Sequence, residues 1–247
     1  MTALVLALIA GAVVGLALGA LGGGGSVLAV PALIYLLGFS PSAATTASLI
    51  IVAATSATAL YAHARDGYVA WKTGSLFAAA GIIPAYLAGA AAGSAPEAVL
   101  TIAFSMIAAL AAVRMFRPSS SKPPERIRHS KATGVGAGLG AVTGFLGVGG
   151  GFLAVPALVS VLGLTIRRAV GTSLLVITVN SLAALTARTG TGGGLDWALI
   201  GPFTGAAILG AWDGKRLSTK VSGNSLQKVF AGVLLAVAVF MLIDVIV

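Results

Sequence analysis

The chain has 247 residues, is 58% hydrophobic and only 9% charged, and carries a net charge of +9. With a mean hydropathy of +1.05, it holds more apolar surface than a soluble domain of this size can hide, and too few charges to coat an aqueous outside. The absence of cysteine excludes disulfides, thiolate catalysis and cysteine-ligated metal or iron–sulfur sites.

Apolar stretches recur along nearly the whole length, which predicts an all-α, polytopic membrane protein. Apolar and polar residues do not alternate as a membrane β-barrel requires. Five segments are expected in the first half, at 3–21, 27–38, 43–63, 73–93 and 97–116. Five more follow, at 132–146, 152–163, 169–187, 195–211 and 226–246. No basic residue precedes the first apolar run, so Ala3 to Leu21 reads as a retained span rather than a cleaved signal. Arg117 to Lys131 is the one long polar stretch, and its proline, serine and charge mark an exposed linker. The expected organisation is a membrane repeat over 1–117, a basic cytoplasmic linker over 118–131 and a second membrane repeat over 132–247.

The two halves are homologous. Leu28 to Leu33 reads Leu-Ala-Val-Pro-Ala-Leu, and Leu153 to Leu158 repeats it in order; Pro156 minus Pro31 gives an offset of 125. Each copy follows a glycine run, Gly22-Gly23-Gly24-Gly25-Ser26 in the first and Gly147-Val148-Gly149-Gly150-Gly151 in the second. At the same offset Gly11, Gly15 and Gly19 match Gly136, Gly140 and Gly144, a bare stripe that lets another helix approach closely. Ser48 matches Ser173, Thr55 matches Asn180, Ser56 matches Ser181, and His63 matches Arg188. Trp71 and Trp197 begin corresponding segments, as interfacial anchors do.

Segment length sharpens this picture. At about 1.5 Å per residue, 27–38 and 152–163 reach only about 18 Å of a hydrocarbon core about 30 Å thick. They are either half-helices joined to glycine breaks or re-entrant segments. Five crossings per half invert the second repeat and leave only Arg188 on the wrong side of the positive-inside rule; four crossings make the halves parallel and misplace Arg167, Arg168, Lys215, Arg216 and Lys220. The inverted arrangement is favoured, with both termini outside and the two short glycine-broken helices meeting near the bilayer midplane. Such matched, interrupted segments point to a transporter's binding site.

The first N–H groups of the helices after the breaks lack intrahelical partners and suit an anion. The candidate substrate-binding residues are therefore Gly22, Gly23, Gly24, Gly25, Ser26, Gly147, Gly149, Gly150 and Gly151. Neither glycine run is a nucleotide loop: the first lacks the Gly-Lys-Ser/Thr ending, and the second lies among membrane spans with no βαβ unit. A polar set in the third segment of each half comprises Thr45, Thr46, Ser48, Thr55 and Ser56, then Thr172, Ser173, Thr178, Asn180 and Ser181. Most of these serve as interhelical glue; Ser48, Ser173 and Asn180 join the substrate-binding candidates. His63 and Arg188, ionisable residues at matching segment ends, are candidates for gating or coupling, although arginine near an end can also snorkel to water. Asp66, Glu97, Glu125, Asp196, Asp213 and Asp244 all fall in loops or near segment ends, so no buried carboxylate relay, metal cluster or cofactor is expected.

On its twin glycine-rich, Val-Pro-x-Leu motifs the chain resembles the TauE/SafE family of sulfite and organosulfonate exporters over almost its whole length. The resemblance implies an inner-membrane permease, not an enzyme, for small sulfur-containing or related organic anions. Its partners would be the anion and the lipid bilayer, with no nucleic acid, and a homo-oligomer is compatible with it. An anion channel shares the architecture but needs no alternating access. A scarcity of buried acid/base groups argues against an intramembrane enzyme, and the single short linker against an assembly factor.

Overall fold

The computed structural model describes residues 2–21, 24–116, 129–147, 151–188, 195–218 and 223–246, and these are helical nearly throughout. Helix α1 is Thr2–Leu21. Segment α2 is composite: a 3₁₀ turn over Gly24–Leu28, one α turn over Ala29–Pro31 and a π turn over Ala32–Leu36. Then come α3 (Pro41–Arg65), α4 (Trp71–Gly93) and α5 (Glu97–Phe116). The second half holds α6 (His129–Leu146), α7 (Gly151–Leu162), α8 (Ile166–Ala187), α9 (Trp197–Ser218) and α10 (Gly223–Ile246).

All ten expected segments are therefore helical. Helix α9 differs most, running to Ser218 instead of stopping at 211. Asp213, Lys215 and Arg216 end its apolar run but do not break a helix, so Asp213 lies within the helix, near its end. Within α2, Pro31 supplies no N–H and stands where the winding passes from the α turn to the π turn. The same proline sits inside α7, which is a plain α-helix; nothing in the structure explains that difference.

The repeat is visible in hydrogen bonds as well as letters. Both short segments end in the same cap, with Gly38 at φ 72° and Gly163 at φ 64°. Gly38 donates to the Ile34 carbonyl and Phe39 to that of Leu33; Gly163 and Leu164 donate likewise to Val159 and Leu158. The glycine's own bond, four residues back, is that of the αL cap, which places its glycine in the left-handed region.

Packing exchanges elements between the halves. The stripe on α1 lies against α9, with Gly11, Gly15 and Gly19 on the backbone of Phe203, Ala207 and Ala211. The matching stripe on α6 lies against α4, with Gly136, Gly140 and Gly144 on the backbone of Phe77, Gly81 and Ala85. Residue numbers rise together in both pairs, so each runs parallel. In contrast α3 and α8, which match in sequence, run antiparallel: Thr46 meets Arg188 and Ser56 meets Thr178. The C-terminal ends of α3 and α9 come together where Lys215 reaches the Ala62 carbonyl at 2.8 Å. Since α1 ends beside the same part of α9, α2 must carry the chain back before α3 begins, and α7 does the same between α6 and α8.

Large apolar side chains such as Ile83 and Leu209 leave about 70% of their surface exposed (70% and 71%). Four helices among the described residues, α1, α3, α4 and α8, are long and apolar enough to cross a bilayer. The molecule is an all-helical, polytopic membrane protein, with apolar surface turned outward to lipid and small or polar residues packed within.

Candidate functional site

Two features converge inside the bundle: the glycine breaks and the α3–α8 seam. Helix α7 packs against the Gly24–Leu28 turn, so the segments that follow the two breaks touch. Gly24 opens that turn and Ser26 within it is fully buried. Gly25 lies against the α1 backbone at Leu18, Val14 and Ala17, where any side chain would collide. In the second half Gly147, at φ 68°, turns the chain out of α6 and rests on the backbone of Thr45 at the start of α3. Gly151 begins α7. Gly22, Gly23, Gly149 and Gly150 lie outside the described residues.

Arg188 sits at the second break. It is 3% exposed, so it does not snorkel. Its Nη1 donates to Thr45 Oγ1 at 2.7 Å and Thr46 Oγ1 at 3.3 Å, and its Nη2 to the carbonyls of Gly144 at 2.7 Å and Phe145 at 3.1 Å. Local chemistry prepares both sets of acceptors. The two threonine hydroxyls give their protons to the Ser42 carbonyl at 2.9 and 3.0 Å, leaving lone pairs for the guanidinium. The two carbonyls belong to the last turn of α6, the negative end of its dipole. Arg188 is thus a clamp between α8, α6 and α3, an interior residue and not a loop cation, so it carries no weight in the charge rule.

His63, its repeat counterpart, lies at the other end of the seam. It is 5% exposed, its Nδ1 stands 3.0 Å from the Ala59 carbonyl of its own helix, and Gly171 of α8 faces it. The structure places the two residues at opposite ends of α3 and joins neither to the other.

Between them the seam is lined with small polar groups. Ser48, Thr55, Ser56, Ser173, Asn180 and Ser181 are all buried. Ser56 and Thr178 hydrogen-bond across the seam at 2.9 Å, the interhelical glue expected of such residues. Ser173 donates to the Val170 carbonyl of its own helix at 2.7 Å. Ser48 Oγ, Thr55 Oγ1, Ser181 Oγ and both amide atoms of Asn180 find no partner in the structure. The Asn180 amide lies against Gly81 of α4, where a Cβ would stand 2.7 Å from either of its polar atoms.

Sequence reasoning missed the tie at the far end. Lys215 pairs with Asp66, which follows α3, and also holds the Ala62 carbonyl. The ammonium keeps the Asp66 carboxyl below its ordinary range. The pair lines a pocket of about 610 Å³ between the ends of α3 and α9. Among the described residues no group of three or more histidine, aspartate or glutamate side chains could hold a metal.

Among the described residues ten helical segments cross between two matched halves, and the segments that follow the two breaks touch beside a buried polar seam, an arrangement that fits a membrane transport protein. The chain belongs to the sulfite exporter TauE/SafE family, which matches residues 7–241. It is 33% identical over 241 residues to a protein of Xylella fastidiosa strain 9a5c named probable membrane transporter protein, covering 94% of this chain and 92% of that relative. A protein of the same name from strain Temecula1 is 33% identical over 244 residues, with the same coverage. No solved structure matches. The family is one of transporters and not of enzymes.

Proposed function

We propose that the protein is a secondary transporter for small sulfur-containing or organic anions such as sulfite or sulfonates, working by alternating access around the two glycine breaks. The observation that carries this reading is the contact between α7 and the Gly24–Leu28 turn. It brings together two matched, interrupted segments, the arrangement in which transporters build their sites. The family's description as sulfite exporters favours the substrate class. Backbone N–H groups after each break would face the anion, and Arg188 would hold the second break in shape.

The repeats are read as inverted, because α3 and α8 match in sequence and run antiparallel. In that reading the protein lies in the inner membrane with its basic linker in the cytoplasm. Rocking one set of helices against the other would then expose the same site to each side in turn.

Purified protein in liposomes should move sulfite or a small sulfonate with saturable kinetics. Gly24→Leu and Gly149→Leu should each abolish flux while the protein still purifies as a folded, monodisperse species. Full flux in both variants would refute the placement of the site at the breaks. Large unitary currents in place of saturable exchange would refute alternating access.

A further inference from the structure

Two helices bring lipid-facing stripes to the same end of the bundle. On α9 exposed residues recur every fourth position, at Trp197, Gly201, Gly205 and Leu209, and the stripe reaches Trp212. It is apolar between the two tryptophans and turns charged beyond them, with Asp213 and Arg216 exposed. On α3 the exposed residues Ala57, Tyr61 and Arg65 make a similar stripe, apolar first and basic last. A helix that passes from hydrocarbon to water changes in this order, and tryptophan and tyrosine mark the boundary. Tyr61 and Trp212, 59% and 48% exposed, therefore stand at the level of the lipid headgroups.

Between the two stripe ends lies the pocket of about 610 Å³ that the Lys215–Asp66 pair lines. Its walls carry three cations, Arg65, Lys215 and Arg216, against the single carboxylate of Asp66. Lys215 is committed to the fold, since its ammonium holds Asp66 and the Ala62 carbonyl and so ties the end of α3 to α9. Arg65 and Arg216 are exposed, one on each helix. Arg65 lies over the Tyr61 ring, 6.0 Å from its centroid, a contact that uses the face of the guanidinium and not its N–H edge. Arg216 meets Asp213 of its own helix at 3.5 Å, an exposed pair of little strength.

This basic set is not a product of the repeat. Helices α4 and α9 correspond at an offset of 126, from Phe77 to Phe203, so Trp212, Lys215 and Arg216 match Tyr86, Gly89 and Ala90. Arg65 matches Gly190 at the offset of 125. The aromatic recurs and the cations do not. The positive-inside rule asks for basic residues near the ends of spans. It does not ask that three of them converge on one pocket flanked by two aromatic rings.

We propose that this pocket binds the headgroup of an anionic phospholipid, with the phosphodiester between Arg65 and Arg216 and the glycerol and upper acyl chains against Tyr61 and Trp212. The occupant is a lipid and not a soluble anion because both walls continue stripes that face hydrocarbon. Leu209, three residues before Trp212, is 71% exposed. A guanidinium meets phosphate oxygens through paired N–H groups, and basic pockets between spans hold anionic headgroups. Bound there, the lipid adds a second link between the ends of α3 and α9, beside the Lys215–Asp66 pair.

The test is thermal unfolding of the delipidated full chain in detergent, titrated with phosphatidylglycerol or with phosphatidylcholine of the same acyl chains. Native mass spectrometry reports the lipid retained. Phosphatidylglycerol should raise the midpoint and stay bound, and phosphatidylcholine should do neither. Arg65→Gln/Arg216→Gln should weaken the response to phosphatidylglycerol about thirty-fold, about five-fold for each basic residue lost. Both side chains are exposed, so the lipid-free midpoint should not change. Arg65→Gln alone should show about a five-fold loss, which keeps the test open if the double variant misfolds. Arg167→Gln is the control: Arg167 is exposed and lies 5.9 Å over the Tyr68 ring, a similar pair outside the pocket, and this variant should respond like the parent. Equal stabilisation by the two lipids would overturn the proposal, and so would glycerol phosphate acting as strongly as phosphatidylglycerol. A full response in the Arg65 and Arg216 variants, or an equal loss in Arg167→Gln, would overturn it in favour of diffuse attraction to a basic surface.

Discussion

Two glycines on α6, two residues apart, should respond to alanine with opposite signs. A Cβ on Gly140 would stand 2.6 Å from Gly81 Cα and 2.7 Å from its carbonyl carbon. Ordinary carbon–carbon contact is about 3.5–4.0 Å, so α6 and α4 must part by roughly 1 Å. A gap of that size forfeits a quarter to a half of the dispersion energy of each contact it opens. Overpacking of a well-filled interface costs about 1–3 kcal/mol, and this one is backbone against backbone with no flexible side chain to yield. Gly138 meets nothing within 4 Å, so alanine there adds only helix propensity, worth about 0.5–1 kcal/mol in its favour. At about 2–4 °C per kcal/mol for a chain of this size, Gly140→Ala should lower the thermal midpoint by about 2–12 °C. Gly138→Ala should hold the midpoint or raise it. Unfolding in one detergent, followed by intrinsic tryptophan fluorescence, measures both. Equal midpoints for the two variants would refute the claim that the glycine stripe is an α4 contact.

Gly38→Ala and Gly163→Ala should each cost about 1–2 kcal/mol, because both glycines hold left-handed φ values, and similar losses are expected if the two caps are equivalent; a loss at one position alone would refute that equivalence. Arg188→Met would deprive the Gly144 and Phe145 carbonyls of their donor, at about 1–3 kcal/mol each, offset in part by relief of the buried charge, for a net loss of about 2–4 kcal/mol in a thermal scan. Arg188→Lys should fall between, since one ammonium cannot span four acceptors; full stability in both variants would refute the clamp. Asp66 has a folded pKa depressed by Lys215, so its stabilisation is present above the unfolded carboxylate value of about 3.9 and disappears as pH falls through the folded value. The midpoint difference between the parent and Asp66→Asn should therefore be present at pH 7 and shrink on acidification through and below the ordinary carboxylate range; a difference that grows on acidification would refute the assignment.

The helices were legible because lipid demands long apolar runs, and the repeat was legible because its letters recur at one offset. The glycine stripes could be placed for the same reason: a residue without a side chain every fourth position has one structural use in a membrane helix. What the letters withheld was partnership. Nothing in Gly15 names Ala207, and the α4–α9 correspondence runs at 126, as Phe203 minus Phe77 shows, one residue off the offset of the motifs. The bonding of Arg188 was not legible because position in a segment predicts depth but not what waits there. Its environment is assembled from Thr45, Thr46 and the end of α6, residues far from it in sequence.

The same limit governs the seam. Sequence equates Thr55 with Asn180 but cannot say whether equivalent residues lie apart or face each other. The antiparallel register, set by contacts at three levels, puts the counterparts at nearly one level along the seam, with the Asn180 amide turned to Gly81 of α4. There the repeat is least faithful, with threonine against asparagine at the centre and histidine against arginine at the ends. A strictly two-fold seam would present the same side chains from both helices. With one hydroxyl replaced by an amide, and one end of the seam held by the Arg188 cation where the other has His63, the two halves of the seam are chemically unequal although their helices match.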